Sequence, residues 1–221
     1  PWTDLFAEKS LPKWKKSLRP TKGVHIIFPR EKLDVKQAVV MAVQTRIIFV
    51  IPRGEVTIVG TTDTDYAKDP SEVLVNEDDV NYLLKATNSY FPEVNLSHKD
   101  IISCYSGIRP LVDDGAQTEG KTSREHHIFN YSDKVTLVAG GKYTTYRSMA
   151  LEIVDTVLEK FPFDQKMILK PSKTEEILNS AATAEKIERG LLYAENLAEE
   201  LNLPLSLVRQ AFSRRGEEGY E

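Results

Sequence analysis

Cysteine is nearly absent from this chain of 221 residues, in which Cys104 is the single one. One cysteine excludes an intramolecular disulfide and is compatible with a reducing compartment. Histidine is also scarce, and the spacing of His25, His98, His126 and His127 matches no metal site, even with the cysteine included. On a strand, His126 and His127 would point to opposite faces, so they could not chelate an ion together. The sequence therefore predicts no metal.

Glycine-rich nucleotide motifs are missing as well. The eleven glycines never fall at the GxGxxG spacing of dinucleotide-binding folds. Gly141 and Lys142 lack the upstream glycine and the following hydroxyl residue of a P-loop, and no GxSxG nucleophile motif occurs. Any cofactor chemistry therefore rests on a less obvious arrangement, or on a segment outside this chain.

Long apolar runs and excess positive charge are absent too. The longest apolar run, "RIIFVI" at 46–51, is far shorter than the roughly 18–20 residues of a membrane span. The net charge of −4 gives no indication of nucleic-acid binding. Because the chain starts at "PWTDLF" and stops just after a helix-like segment, we expect it to be a piece of a longer protein.

The patterns that are present predict strands first. Runs rich in β-branched residues occupy 23–30, 37–43, 46–52 and 55–62, and the glycine turn at Gly54 predicts a hairpin between the last two. Further strands are predicted in 100–112, 124–131 and 134–140.

Helical periodicity is found between and after these strands. It covers 76–91, where Asn76 is the expected cap and Pro92 the stop, and then 145–161, with Met149, Ile153, Val157 and Phe161 on one face. Residues 174–215 have the composition of two or three helices. We predict an α+β fold with a mixed, mainly antiparallel sheet and flanking helices, followed by helices. The predicted domains are 1–165 and 166–221.

Two arginines and one histidine are the first candidates for chemistry. His25 follows Gly23 on a strand and could take up a proton near neutral pH, or it could be a structural histidine with satisfied ring nitrogens. Arg109 lies in an apolar strand and needs an anion, either a ligand or an internal partner such as Asp113 or Asp114. Arg124 follows fifteen residues later, and if the two strands are neighbours the guanidiniums could converge on a dianion such as phosphate.

Two polar segments complete the candidates. In "GTTDTDY" (60–66), Thr61, Thr62 and Asp63 could contact a polar ligand, although a turn held by Thr and Asp side chains is the simpler explanation. In "VAGGKYTTYR" (138–147), Gly140 and Gly141 precede a helix start whose free N–H groups favour an anion. Lys142 adds a positive charge there, and Thr144 or Thr145 could cap the helix. The alternative is a plain strand-to-helix connection.

Taken together, these motifs resemble those of one family. "PWTD", "RPTKGVHIIFPR", "VTIVGTTDTDY", "YSGIRPLVDD", "TSRE" and "AGGKYTTYRSMALEIVD" occur in the order found in FAD-dependent glycerol-3-phosphate dehydrogenases. The resemblance is close over about residues 1–160 and weaker over 161–221. It implies a substrate-binding domain of the amino-acid-oxidase (glutathione-reductase-2) type with a return segment to the flavin at 134–160, then the start of a helical domain at 166–221.

The resemblance also implies roles for individual residues. His25 corresponds to a candidate base, Arg109 to an active-site arginine beside the flavin, and Arg124 to a second arginine that holds the substrate phosphate or hydroxyl. Arg109, Thr61 and Thr62 are further candidates for binding the substrate. Lys142 and Thr144 correspond to residues at the edge of the flavin ring, and Gly140, Gly141, Tyr143 and Thr145 of the same segment are further candidates for binding the cofactor. There a helix N-terminus and a cation would stabilise negative charge on the ring.

For the complete enzyme, the resemblance implies oxidation of glycerol 3-phosphate to dihydroxyacetone phosphate, with FAD as cofactor and a quinone as electron acceptor. It implies a cytoplasmic protein at the inner face of the cell membrane, and a homodimer is a further expectation. Two alternatives stay open: an oxidase that passes electrons to oxygen and forms hydrogen peroxide, and a non-catalytic cap or interaction domain. We expect this chain by itself to bind no FAD and to be inactive, because the GxGxxG region is not in it.

Overall fold

The computed structural model describes residues 1–44, 46–113, 115, 122, 124–162 and 184–215. The chain separates into two compact units, Pro1–Lys166 and Met167–Glu221. The elements of the first unit are α1 (Thr3–Ser10), β1 (Leu18–Pro29), β2 (Val39–Val43), β3 (Arg46–Arg53), β4 (Val56–Gly60), β5 (Thr64–Asp65), α2 (Glu77–Tyr90), β6 (Ser103–Val112), β7 (His126–Ser132), β8 (Val135–Gly140) and α3 (Tyr146–Leu158). The second unit contains α4 (Ala184–Glu200) and α5 (Leu205–Arg215).

The main sheet has six strands, and β1 pairs with three of the others. The order is β2-β3-β4-β1-β5, and β6 also pairs with β1. Its twelve residues let β1 pair with β4 through its second half, with β5 through Thr21 and Lys22, and with β6 along 18–27. Every pairing among the described strands is antiparallel, so the predicted α+β class with a mainly antiparallel sheet is confirmed. The predicted hairpin is also confirmed, with Gly54 at a φ of 60° between β3 and β4.

One face of this sheet forms the hydrophobic core beneath α2. Val24, Ile26 and Phe28 of β1 are fully buried and belong to the same apolar cluster as Leu83 and Leu84 of α2. Burial of side chains of this size stabilises the fold by about 1.5–3 kcal/mol each. The predicted cap of α2 is confirmed, because the Asn76 side chain accepts the Asp79 N–H at 2.9 Å.

The opposite face of the sheet is open. Successive side chains of a strand alternate between faces, so His25 lies opposite its neighbours Val24 and Ile26. Register places Gly60 of β4 and Tyr105 of β6 beside His25, and Phe49 of β3 beside Gly60. Several large apolar side chains of the sheet are at least 40% exposed: Val40, Ile47, Phe49, Ile51 and Tyr105.

The second sheet is the hairpin of β7 and β8, which α3 follows directly. In α3, Met149, Ile153 and Val157 of the predicted apolar face are half-buried, whereas Phe161 beyond the helix end is exposed. The Lys160 ammonium, also beyond the helix end, donates to the hydroxyl of Thr136 at 2.6 Å.

In the second unit, α4 and α5 pack through a small cluster of Ala194, Ala198 and Val208. They account for the helices predicted in the described part of 174–215, and 174–183 lie outside the described residues. The assignment of 1–165 and 166–221 as domains stays a prediction, and its boundary falls among residues outside the described ones. Among the residues that the structure describes, no helix combines the length and the apolar character that crossing a bilayer requires.

Candidate active site

The ring of His25 lies flat on the open face of the sheet. It covers Gly60, where a Cβ atom would come within 2.2 Å of the imidazole Cδ2. Tyr105 stacks on its other side, with ring centres 4.7 Å apart and planes within 10°. Nδ1 of His25 is buried and has no hydrogen-bond partner in the described part of the chain. The alternative of a structural histidine needs a partner for both ring nitrogens, and the described residues supply none for Nδ1.

The environment of His25 keeps it neutral. Burial, and secondly the positive charge of Arg109, hold the pKa of the imidazole below its usual value of 6.5. A neutral imidazole at pH 7 is the form that can accept a proton, which a general base requires.

Arg109 is brought to the same face by β6. Its guanidinium lies over Gly23 of β1, where a Cβ would be only 2.4 Å from Nη2. Gly23 is two residues from His25 on the same face, which places the two groups about 7 Å apart along the strand. Arg109 donates from Nη2 to the Thr61 hydroxyl at 2.9 Å and from Nη1 to a carboxylate oxygen of Asp63 at 3.1 Å.

The internal partner of Arg109 differs from the residues that the sequence suggested. Within the described residues its carboxylate is Asp63, and not Asp113, while Asp114 lies outside them. Asp63 is 46 residues away in sequence, so no local pattern points to it.

Arg124 reaches the same carboxylate from the chain segment just before β7. Its Nη2 is 3.4 Å from Oδ2 of Asp63, whereas Arg109 binds Oδ1. The two guanidiniums converge as expected, but not for the reason expected. The strands β6 and β7 belong to different sheets, and the shared contact is Asp63.

The threonines of "GTTDTDY" hold this arrangement in place. The Thr62 hydroxyl is buried and accepts the Val24 N–H at 3.0 Å, so it fastens the segment to β1. Its carbonyl accepts from Arg109 at 3.2 Å. Thr62 therefore helps to orient Arg109, and its expected contact with substrate stays a prediction. Asp63 differs from expectation, since its carboxylate pairs with two arginines and does not hold a turn.

The cluster formed by His25, Asp63, Arg109 and Arg124 carries a net positive charge. Two guanidiniums and one carboxylate leave a formal charge of +1 when His25 is neutral. The Asp63 side chain is 9% exposed, against 24% for Arg109 and 53% for Arg124. The negative group therefore lies behind and the positive groups reach the open side, an arrangement that suits an anionic ligand.

The two glycines after β8 serve the fold of their own segment. Gly140 and Gly141 have φ angles of 77° and 84°, which side chains rarely adopt. A Cβ at Gly140 would meet the Glu125 carbonyl oxygen at 2.4 Å, and one at Gly141 would meet Met149 at the same distance. The glycines are thus required for turning and packing, as the plain strand-to-helix alternative proposed.

The residues that follow present polar groups to solvent. Lys142, Tyr143 and Thr144 are exposed, Tyr143 by 92%, and among the described residues Lys142 contacts no carboxylate. The expected hydroxyl cap is wrong: α3 has no side-chain cap, and Thr145 donates to the Lys142 carbonyl at 3.0 Å. Neighbouring His126 pairs with Glu152 at 2.9 Å, while His127 is exposed, and no metal-binding group is found in the described ranges.

Sequence reasoning missed several residues of this site. Asp63 was considered only for a ligand or a turn, and Gly60 and Tyr105 were not singled out. The signal that could have found Gly60 and Tyr105 is register: once β1 is paired with β4 and β6, both fall opposite His25.

Comparison with known proteins supports the family resemblance that the motifs indicate. Residues 1–147 match the family model described as FAD dependent oxidoreductase. The chain is 38% identical over 176 residues to the aerobic glycerol-3-phosphate dehydrogenase of Staphylococcus haemolyticus, covering 79% of this chain and 32% of that protein. The corresponding protein of Bacillus subtilis is 37% identical over 175 residues, with the same coverage of 79% and 32%.

A solved structure is similar too. The glycerol-3-phosphate dehydrogenase of Bacillus halodurans, complexed with FAD, superposes with a TM-score of 0.76 at 32% identity, covering 99% of this chain and 42% of that one. The chain spans about a third of the length of the curated relatives it matches. These findings confirm the resemblance recognised from the motifs, and the chain belongs to the FAD dependent oxidoreductase family.

Proposed function

We propose that the protein containing this chain oxidises sn-glycerol 3-phosphate to dihydroxyacetone phosphate with FAD and passes the electrons to a quinone. The observation that carries the proposal is the cluster on the open sheet face. There a neutral histidine lies beside two arginines that keep a net positive charge. The names of the similar proteins favour this substrate over other anions.

The arginines would bind the anionic substrate. Within the described residues Arg124 contacts Asp63 through one nitrogen, so most of its N–H donors are available to a ligand. Arg109 uses its Nη groups on Thr61, Thr62 and Asp63, which orients its remaining N–H groups. Guanidiniums bind phosphate and hydroxyl oxygens through such directed N–H groups.

His25 would take the proton of the substrate C2 hydroxyl. A hydride, which is one proton with two electrons, leaves C2, and the hydroxyl proton must go to a base for the carbonyl to form. His25 is neutral near pH 7 and can accept it. Arg109 disfavours a lasting positive charge on the imidazole, so the proton is readily released afterwards.

The exposed start of the segment after β8 fits the cofactor by its donor set. Lys142 contributes an ammonium without a carboxylate partner in the described residues, and the start of the helical turn at Tyr143 contributes backbone N–H groups. We propose that Gly141, Lys142, Tyr143 and Thr144 hold the electron-rich edge of the FAD ring. When bound, FAD supplies the acceptor for the hydride that leaves C2.

The quinone acceptor belongs to the same proposal, and with it a location in the cytoplasm at the inner face of the membrane. An oxidase would instead use oxygen. The third interpretation is a non-catalytic domain, in which Arg109 serves only an internal ion pair. The pair of Arg109 with Asp63 agrees with that interpretation. One guanidinium is enough to balance the charge of Asp63, whereas Asp63 contacts two, which leaves a positive charge for an anionic ligand.

The test uses a full-length, FAD-loaded protein that contains this chain. Turnover of sn-glycerol 3-phosphate is measured with a quinone analogue, and peroxide is measured with oxygen alone. We expect quinone reduction, and a fall of at least about 10²-fold in kcat/KM for Arg109→Ala, the scale seen when a transition-state contact is removed. Arg30→Ala, which removes a half-buried arginine paired with Asp34, is the control.

Two results would contradict the proposal. Peroxide formation without quinone reduction would identify the oxidase. Unchanged turnover in both Arg109→Ala and Lys142→Ala would favour the non-catalytic domain.

A further inference from the structure

We infer that Asp63 is a positioning residue that holds the guanidiniums of Arg109 and Arg124 together in the orientation that receives the anionic substrate. The inference rests on the proposed function for the identity of that substrate. The arrangement itself is a property of the described residues.

The contacts divide the Asp63 carboxylate evenly between the arginines. Oδ1 is 3.1 Å from Nη1 of Arg109 and Oδ2 is 3.4 Å from Nη2 of Arg124. Neither arginine takes both oxygens, so the carboxylate bridges two chain segments that belong to different sheets. Since Arg109 lies on β6 and Arg124 just before β7, no strand pairing between their segments fixes their separation.

Asp63 is itself rigidly held. It is buried, and it lies between β4 and β5, both of which pair with β1. The adjacent Thr62 hydroxyl accepts the Val24 N–H, a further bond to β1. A carboxylate fixed in this way can impose a position on two flexible side chains, each with about 2 kcal/mol of rotamer entropy.

The arginines need such a partner. Burial is the main cause that lowers the pKa of Arg109; the Asp63 charge opposes this shift, and the positive charge of Arg124 adds to it. Arg124 is half exposed, and within the described residues Asp63 is its contact. Without the carboxylate, repulsion and rotamer freedom would separate the guanidiniums before substrate arrives.

A neighbouring ion pair provides the contrast. Asp65, two residues further on, binds Arg19 through both oxygens at 2.8 Å each, so one carboxylate neutralises one guanidinium. That pair is exposed on the Asp65 side and sits on the edge strand β5. Asp65→Asn is therefore a matched control for Asp63→Asn, because it removes a carboxylate of the same segment without touching Arg109 or Arg124.

The first experiment uses the 221-residue chain and the guanidinium NMR signals of its arginines. We expect the guanidinium N–H groups of Arg109 and Arg124 to be protected from solvent exchange. Asp63→Asn should raise their exchange rates by at least about tenfold, because an ordering contact is lost. Asp65→Asn should leave both signals unchanged. If Asp63→Asn unfolds the chain, Asp63→Ser gives the same comparison with a smaller side chain. Unchanged protection in a folded Asp63 variant would overturn the inference.

The second experiment measures kinetics in the FAD-loaded full-length protein, per bound flavin, so that loss of folded protein does not count. A loosened anion site predicts a fall of about 10²-fold in kcat/KM for Asp63→Asn, the size expected for misplacement by about 1 Å. A purely electrostatic role of Asp63 predicts that kcat/KM rises instead, because removing the carboxylate raises the net positive charge of the site and anions bind more tightly.

A double-mutant cycle with Arg124→Gln completes the test. If Asp63 acts by holding Arg124, adding Asp63→Asn to Arg124→Gln should cost much less than it does alone, whereas independent effects would multiply. Multiplicative effects, or tighter substrate binding, would count against positioning. If the wild-type protein does not oxidise glycerol 3-phosphate, the proposed function fails, and the NMR comparison still decides the role of Asp63.

Discussion

At the scale of single residues, two glycines decide where the reactive side chains lie. Gly23 leaves the space that the Arg109 guanidinium fills, and Gly60 leaves the space for the ring of His25. Any side chain at either position would collide with these groups at under 3 Å. Both glycines lie in strands rather than turns, so their role is the close approach of a functional side chain to the backbone.

The pKa of His25 is the first property to test at this scale. We expect NMR titration of the 221-residue chain to give a value below 6.5, and Arg109→Met to raise it, because one of the two causes of the shift is removed. Burial, the larger cause, remains, so the value should stay below 6.5. Arg30→Met is the control, and a value unchanged by Arg109→Met would contradict the coupling.

The same shift has a consequence for stability. In the unfolded chain His25 binds a proton near pH 6.5, whereas the folded chain resists protonation until the pH is lower. The unfolded state therefore binds more protons in this interval, and the contribution of His25 to stability falls as the pH drops below about 6.5.

At the scale of elements, the Asp79 carboxylate of α2 makes two contacts, one that caps its own helix and one that binds the helix to β1. Asp79 accepts the Asn76 N–H at 3.1 Å, which completes the capping box, and it binds the Lys22 ammonium at 2.5 Å. Both side chains of the ion pair are at least 90% buried. The cap could be predicted from sequence, but the ion pair could not, because Lys22 is 57 residues away.

Breaking this pair should be costly. We expect Lys22→Met to lower the free energy of unfolding by about 3–5 kcal/mol, because Asp79 is left as a buried charge. The double change Lys22→Met and Asp79→Asn should recover a substantial part, since asparagine is neutral and still accepts the Asn76 N–H. Urea unfolding of the 221-residue chain measures both, and a double variant no more stable than the single one would refute the explanation.

The strands and helices could be predicted largely from local patterns, and their pairing could not. Alternating β-branched residues located β3, β4 and β8, and the hairpin turn at Gly54 followed from its glycine. The two residues of β5 are too few for a pattern, and they form a strand because β4 pairs only with the second half of β1 and leaves Thr21 and Lys22 for β5. The hydroxyl cap of α3 failed because Thr145 donates to the Lys142 carbonyl instead.

At the scale of the whole molecule, the first unit leaves much apolar surface uncovered. No residue of α3 is fully buried, and Tyr146, Leu151 and Val154 are between 48% and 62% exposed. The chain corresponds to 42% of the similar FAD-containing structure from Bacillus halodurans. Its described residues include a candidate ring-edge site for the cofactor, but the chain has no GxGxxG motif for the pyrophosphate.

We therefore expect the isolated chain to be colourless. Purified with excess FAD and then passed through a desalting column, it should retain no flavin absorbance, because one edge of the ring is too small a contact to hold the cofactor. A full-length protein containing the chain, treated in the same way, should stay yellow. Retained flavin in the 221-residue chain would show that these residues bind the cofactor by themselves.

The sequence by itself determined the fold class, the family and most of the candidate site residues. Strand and helix periodicity are local, and the six motifs lie in single stretches, so both can be recognised without coordinates. Only the tertiary structure decided which charges meet. Asp63, Arg109 and Arg124 come from three separate segments. Asp63 and Arg109 meet because β1 pairs with both β4 and β6, and Arg124 reaches Asp63 from the segment before β7, which belongs to the other sheet. Charge pairing over such distances depends on register and sheet order, which no local pattern encodes.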